Sequence, residues 1–164
     1  MGCTACLCLI TKTDIYCANA GDSRAILVSK AGRVTELSHD HKPDVDSETK
    51  RIKAAGGFVE DSRVQGVIAV SRAIGDWEYK NEKLNRYAQN APIYKQKQGK
   101  KGKGKDDDKL NTERPYRKME ESQKYKISAF PDIKKVEIDK NEHDFIVIAC
   151  DGIWDCYSNE QVAQ

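Results

Sequence analysis

The stretch FIVIACDGIWD, residues 145–155, decides the fold class. Six apolar residues, three of them β-branched, run without a break and are bounded by Asp144 and Asp151. A run this short reads as a strand buried on both faces rather than as a helix. It ends in Asp151-Gly152, which puts a carboxylate at a strand terminus beside a residue that permits close backbone approach. Asp155 follows four residues later and returns to the same place if the chain turns. Carboxylates gathered at strand ends suit hard, oxygen-seeking cations such as magnesium or manganese. Asp-Gly is equally an ordinary turn dipeptide, so the local residues leave both readings open.

Working outward, the first forty residues are dominated by short apolar runs. Residues 3–10 and 14–19 flank the polar Thr11-Lys12-Thr13 and read as a β-hairpin. Residues 24–29 and 34–37, separated by a Gly32 turn, extend it to an antiparallel meander. One helix is expected over residues 47–55: Pro43, Asp44 and Asp46 supply an N-terminal capping signal, and Gly56-Gly57 supply the stop. Short strands follow at 58–60, near Val64 and at 67–70, and 133–138 alternates like a strand. A last helix starts at Asn159. Two further motifs stand out. In NAGDSR, residues 19–24, a strand again runs into a small-residue turn and an acid, although Asp and Ser commonly just satisfy a turn. In RVQG and AVSRAIGD, residues 63–66 and 69–76, Arg63 and Arg72 are either phosphate ligands of bidentate geometry or surface ion-pair partners of Asp61 and Asp76.

Composition narrows the class. The 164 residues are 38% hydrophobic and 33% charged with a formal net charge of +2, as expected for a soluble domain with its own core. No run approaches the roughly 18 apolar residues of a membrane helix, and no basic leader precedes the first apolar run, so a cytoplasmic or nuclear protein without membrane contact is expected. Of the six cysteines, Cys6, Cys8, Cys17 and Cys150 lie in apolar runs and read as small hydrophobes, not zinc ligands or a redox pair. From about residue 81 to 126 large aliphatic residues are scarce, and KQKQGKKGKGKDDDK at 95–109 is Lys/Gly-rich. This segment reads as a flexible insertion. Its lysines carry no interleaved aromatic residues and are partly neutralised by Asp106, Asp107 and Asp108, so nucleic acid is not the expected partner.

Taken in order, GCTA, ANAGDSRAIL, LSHDHKP, AAGGFV, RVQGVIAVSRAIGD, FPDI and IACDGIWD resemble the type 2C, metal-dependent serine/threonine protein phosphatases over residues 1–80 and 127–164. The resemblance implies an α+β fold, part of an α/β/β/α sandwich of two antiparallel sheets flanked by helices. It implies hydrolysis of phosphoserine and phosphothreonine in proteins with two or more Mg2+ or Mn2+ ions, with phosphoproteins as substrates, and a monomer is expected. Carried over by motif, Asp151 is a core metal ligand, Asp155 and Asp22 serve a neighbouring weaker ion, and Arg63 lines the substrate groove. No covalent catalytic residue is implied, so none is assigned to the cysteines. The segment after Asp76 corresponds to the flap beside the active site.

The family pattern is also broken. Its Asp-Gly-His-Gly-Gly motif, the arginine upstream of it and a late Asp-Asn ligand are absent from this sequence. The chain is therefore expected to be one partial catalytic domain, residues 1–164, and an internal fragment whose Met1 is not a domain start. His39, His41 and His143 lie outside the missing motif, and surface or turn roles are expected for the first two. The alternative is a catalytically dead, phosphatase-like module that binds phosphorylated partners.

Overall fold

A computed structural model describes residues 1–80 and 124–164. Most of the expected insertion therefore lies outside the described residues. Two three-stranded antiparallel sheets carry the fold. The first joins β2 (Ala5–Ile10), β3 (Asp14–Ala20) and β9 (Asp132–Glu137). The second joins β10 (His143–Ala149), β4 (Arg24–Ser29) and β5 (Val34–Glu36). Period-two alternation along β3 sends Ile15 and Cys17 inward, where they meet Ala25, Leu27 and Leu37 from the second sheet and the partly buried Cys6, Cys8, Val136 and Ile146. The two sheets thus pack face to face, as the α+β sandwich requires. On the outer face of the second sheet, Ile26 and Val28 bury Trp154 of α3 (Asp151–Trp154), with Val162 of α4 (Asn159–Val162) alongside. A capping box at Ser158, in which Ser158 and Gln161 bond each other's backbone, starts α4.

Four expectations need correction. The N-terminal strands are not one meander, because β3 and β4 belong to different sheets and Gly21, at φ 131°, swings the chain across between them. FIVIAC is not buried on both faces: β10 pairs only with β4 among the described residues, and Phe145 and Ile148 are exposed. Residues 67–70 form no strand; they contribute a single bridge from Ile68 to Val64. Of the cysteines, Cys6, Cys8 and Cys17 line the core as expected, whereas Cys150 is exposed.

Smaller elements frame a third cluster of Ile52, Val64, Ala73 and Ile127. β1 (Gly2–Cys3) pairs with β8 (Ile74–Gly75), which runs into α2 (Trp77–Lys80). β6 (Val59–Glu60) and β7 (Arg63–Val64) form a ribbon whose turn residues, Asp61 and Ser62, both have positive φ, as a type I′ hairpin demands. The helix α1 spans Asp46–Ala54. Its N-cap is Val45 and no side chain caps it, so the acids act there only as charges favourable to the dipole. At its other end Gly56, with φ 73°, bonds Lys53 O and Gly57 bonds Ile52 O, the two bonds of a Schellman stop.

α1 also buries a charge. Glu48 is 2% exposed on the same stripe as Ile52. Its carboxylate accepts from Arg51 at 2.8 Å, Arg72 at 2.7 Å and Ser71 Oγ at 2.7 Å. Arg72 reaches on to Asp132, at 2.7 Å, so it pairs with neither Asp61 nor Asp76 as expected from spacing. Burial pushes the Glu48 carboxyl up, but the hydrogen bonds from Arg72 and Arg51 win and bring it down to about 2.

Two outcomes follow. A carboxyl lowered from 4.5 to about 2 favours the folded state above pH 4.5 and loses that advantage as pH falls toward 2. The ionised form contributes about 3 kcal/mol at neutral pH, so urea unfolding of Glu48→Gln should show its full deficit at pH 7 and a shrinking one below pH 4.5. A Cβ at Gly21 would meet Thr4 Cγ2 at 2.3 Å and Thr4 Cα at 3.1 Å. Gly21→Ala should cost on the order of 3 kcal/mol, from overpacking and positive φ together, measured as a fall in urea midpoint.

Candidate metal and phosphate site

Asp22 and Asp151 come to one end of the sandwich from different strands. Asp22 follows β3 in the tight crossing that opens β4, and Asp151 is the first residue of α3 directly beyond β10. Asp22 is 9% exposed, whereas Asp151 is open to solvent. Burial raises the Asp22 carboxyl above its ordinary value. The like charges of Asp151 and Asp40 raise it further, opposed by its own backbone N–H and by Lys42. Asp155, which ends α3, is exposed and faces Lys42 Nζ at 3.5 Å. The structure thus brings Asp22 within charge range of Asp151 and of Lys42, and Asp155 meets the same lysine. Gly152 faces open space, so the expected close backbone approach is not met among the described residues.

Arg24 ties this neighbourhood together. Its Nε and Nη2 donate to both oxygens of Asp40, at 2.9 and 2.8 Å, and Nη1 donates to Asn159 Oδ1 at 2.7 Å. The guanidinium lies 5.2 Å over the Trp154 ring, whose Nε1 donates to Ala149 O at 2.8 Å. One side chain of β4 therefore fixes the start of α4 and the indole of DGIWD. The hydrogen bonds it donates to Asp40 hold the arginine firmly cationic against burial.

The acidic turn has its own support, which the sequence reading missed. His41 is 4% exposed, not a surface residue. Its Nδ1 accepts from Gly21 N at 3.2 Å, so the ring proton sits on Nε2 and donates to Asp132 Oδ2 at 3.1 Å. Burial pushes the Asp132 carboxyl up, but hydrogen bonds from Arg72 and His41 hold it below its ordinary value. His39, by contrast, is exposed beside Glu36. The two histidines of LSHDHKP carry no local signal of which one is deep. Glu48 did carry one, since it shares a helical stripe with Ile52 and lies three residues before Arg51.

Arg63 stands on the exposed ribbon and donates to Val67 O at 3.0 Å, which leaves further guanidinium donors directed outward. In kind, the acids fit a hard divalent cation. In number they fall short: among the described residues no three His, Cys, Asp or Glu side chains are grouped closely enough to hold one.

The profile of the protein phosphatase 2C family matches residues 1–164. Protein phosphatase 2C homolog 2 of Hypocrea jecorina is 41% identical over 163 residues, covering 99% of this chain and 29% of its own length. Protein phosphatase 2C homolog 2 of Schizosaccharomyces pombe is 42% identical over 164 residues, covering 99% of this chain and 34% of its own. A crystal structure of a phosphatase from a pathogenic strain of Toxoplasma gondii superposes with a TM-score of 0.60 at 29% identity, over 92% of this chain and 35% of that one. The chain spans about a third of the length of the curated relatives it matches. With its two facing antiparallel sheets and the acids of GDSR and DGIWD drawn to one end, the chain belongs to the protein phosphatase 2C family.

Proposed function

We propose that this domain takes part in metal-dependent hydrolysis of phosphoserine and phosphothreonine in proteins, in the cytoplasm or nucleus, as a monomer. The observation that carries the reading is the approach of Asp22 and Asp151 from two strand ends, close enough for the charge of one to raise the carboxyl of the other. A buried acid facing a second acid is unfavourable unless a cation shares the space. Mg2+ or Mn2+, when bound, supplies a water of lowered pKa and positive charge against the phosphoryl oxygens. Asp151 is the central ligand in this reading, with Asp22 and Asp155 serving a second, weaker position. Lys42 and Arg24 limit the repulsion among the acids, and the outward donors of Arg63 suit a phosphate in bidentate fashion. No protein nucleophile is required.

The sparse ligand set favours a second reading, a phosphatase-like module that binds phosphorylated partners without turnover. One experiment separates the two. Full-length protein is assayed for phosphate release from a phosphopeptide with Mn2+, alongside Asp151→Asn. The hydrolase reading expects a fall on the order of 100-fold or more, the scale of losing a metal-site interaction. Tight phosphopeptide binding without Mn2+-dependent release, unchanged in Asp151→Asn, establishes the binding module instead. For residues 1–164 by themselves, calorimetry should give a Mn2+ dissociation constant weaker than on the order of micromolar, because competent carboxylate cages use more ligands.

A further inference from the structure

Gly21 is sterically obligatory and conformationally free at once. Its Cβ would strike Thr4, so no other residue fits, yet a glycine by itself brings no side chain to restrain the turn before Asp22. The structure supplies that restraint from both sides of the turn, and two of its bonds come from one residue. His41 N donates to Gly21 O at 2.9 Å, and Gly21 N donates to His41 Nδ1 at 3.2 Å. One bond grips the peptide plane before Gly21 and the other grips the plane after it. Asn19 Nδ2 adds a second donor to Gly21 O at 3.0 Å.

The imidazole cannot turn away from this grip. Behind it, Asp132 Oδ2 takes Nε2 at 3.1 Å while Asp132 Oδ1 takes Arg72 at 2.7 Å, and Arg72 is anchored on Glu48. The His41 carbonyl is fixed as well, accepting from Ser71 N at 3.1 Å and Ser71 Oγ at 2.8 Å. A carboxylate that orients a histidine whose other nitrogen does the work is a common arrangement for placing a functional group.

We propose that His41 is a positioning residue: it locks both peptide planes of Gly21 and so holds the Asp22 carboxylate in place opposite Asp151. The proposal deepens the metal reading given above and rests on it for its purpose, though not for its geometry. Two substitutions split the ring's two contacts. His41→Asn places an oxygen near the Nδ1 position and keeps the bond from Gly21 N; His41→Gln reaches the Nε2 position, keeping Asp132 and losing the bond from Gly21 N, while the backbone bond to Gly21 O stays in both. Both are compared with the parent chain by amide NMR, with and without Mn2+.

His41→Asn should leave the Gly21 amide shift and exchange rate near the parent values, with Mn2+ broadening of both Asp22 and Asp151 signals. His41→Gln should speed Gly21 exchange about tenfold, the size of one lost hydrogen bond, and weaken broadening at Asp22 while Asp151 keeps it. Equal behaviour of the two variants overturns the positioning role, since a residue that merely fills the core would be affected alike by both. Absence of Mn2+ broadening at both acids in the full-length parent protein overturns the metal reading alone, and Gly21 exchange still decides the role of His41. If either variant fails to fold, Asp132→Asn serves instead. It keeps the ring and loosens its support, so Gly21 exchange should rise by less than tenfold, and no rise overturns the proposal.

Discussion

A single ionised carboxylate, that of Glu48, lies under most of what the described residues do together. It is enclosed by Arg51, Arg72 and Ser71, which come from α1 and from the AVSRAIGD segment. Arg51 also donates to Tyr125 O at 2.6 Å and Ser71 O at 2.7 Å. Arg72 connects to Asp132 at the start of β9, and Asp132 to His41. A burial penalty of several kcal/mol per ion is met here by near-complete hydrogen bonding. Removal of the one anion would leave Arg51 with carbonyl partners and no carboxylate, and Arg72 with Asp132 as its remaining carboxylate. The network therefore specifies how α1, the segment after it and the first sheet fit together.

Much of this was legible in the residues. The hairpin of β2 and β3, the strand β4, the stop of α1 at Gly56 and the onset of α4 each follow from period, turn chemistry or capping, which act within a few neighbours. GDSR and DGIWD were legible as acids at strand ends. What escaped depended on distant partners. Nothing in 24–29 says that β4 leaves the sheet of β3, because the crossing is set by Gly21 against Thr4 and by facing core residues. Arg72 sits near Asp76 in sequence, yet its partners are 24 and 60 residues away. His41 looked like a surface residue because its depth is conferred by Gly21, Ser71 and Asp132, none of which adjoins it in the chain.

The acidic end of the sandwich shows the opposite economy to that of Glu48. Glu48 is buried and lowered; Asp22 is raised by its burial and further by Asp151, and among the described residues no guanidinium closes on it. Two carboxylates of similar depth are thus driven in opposite directions by their partners alone. The first arrangement is what a folding framework selects. The second opposes folding, and in the metal reading proposed above a cation would offset that cost.

The outer face of the first sheet carries a practical consequence. Leu7, Leu9 and Ile133 stand on it 63%, 58% and 68% exposed, with Leu7 opposite Ala18 and Ala18 opposite Ile133. Contiguous oily surface of this kind draws hydrophobic dyes, detergent and other copies of the same face. In solution, this face makes colloidal behaviour a separate question from the free energy of folding. Polar replacements at Leu7 and Leu9 would improve handling without touching the interior or the acids.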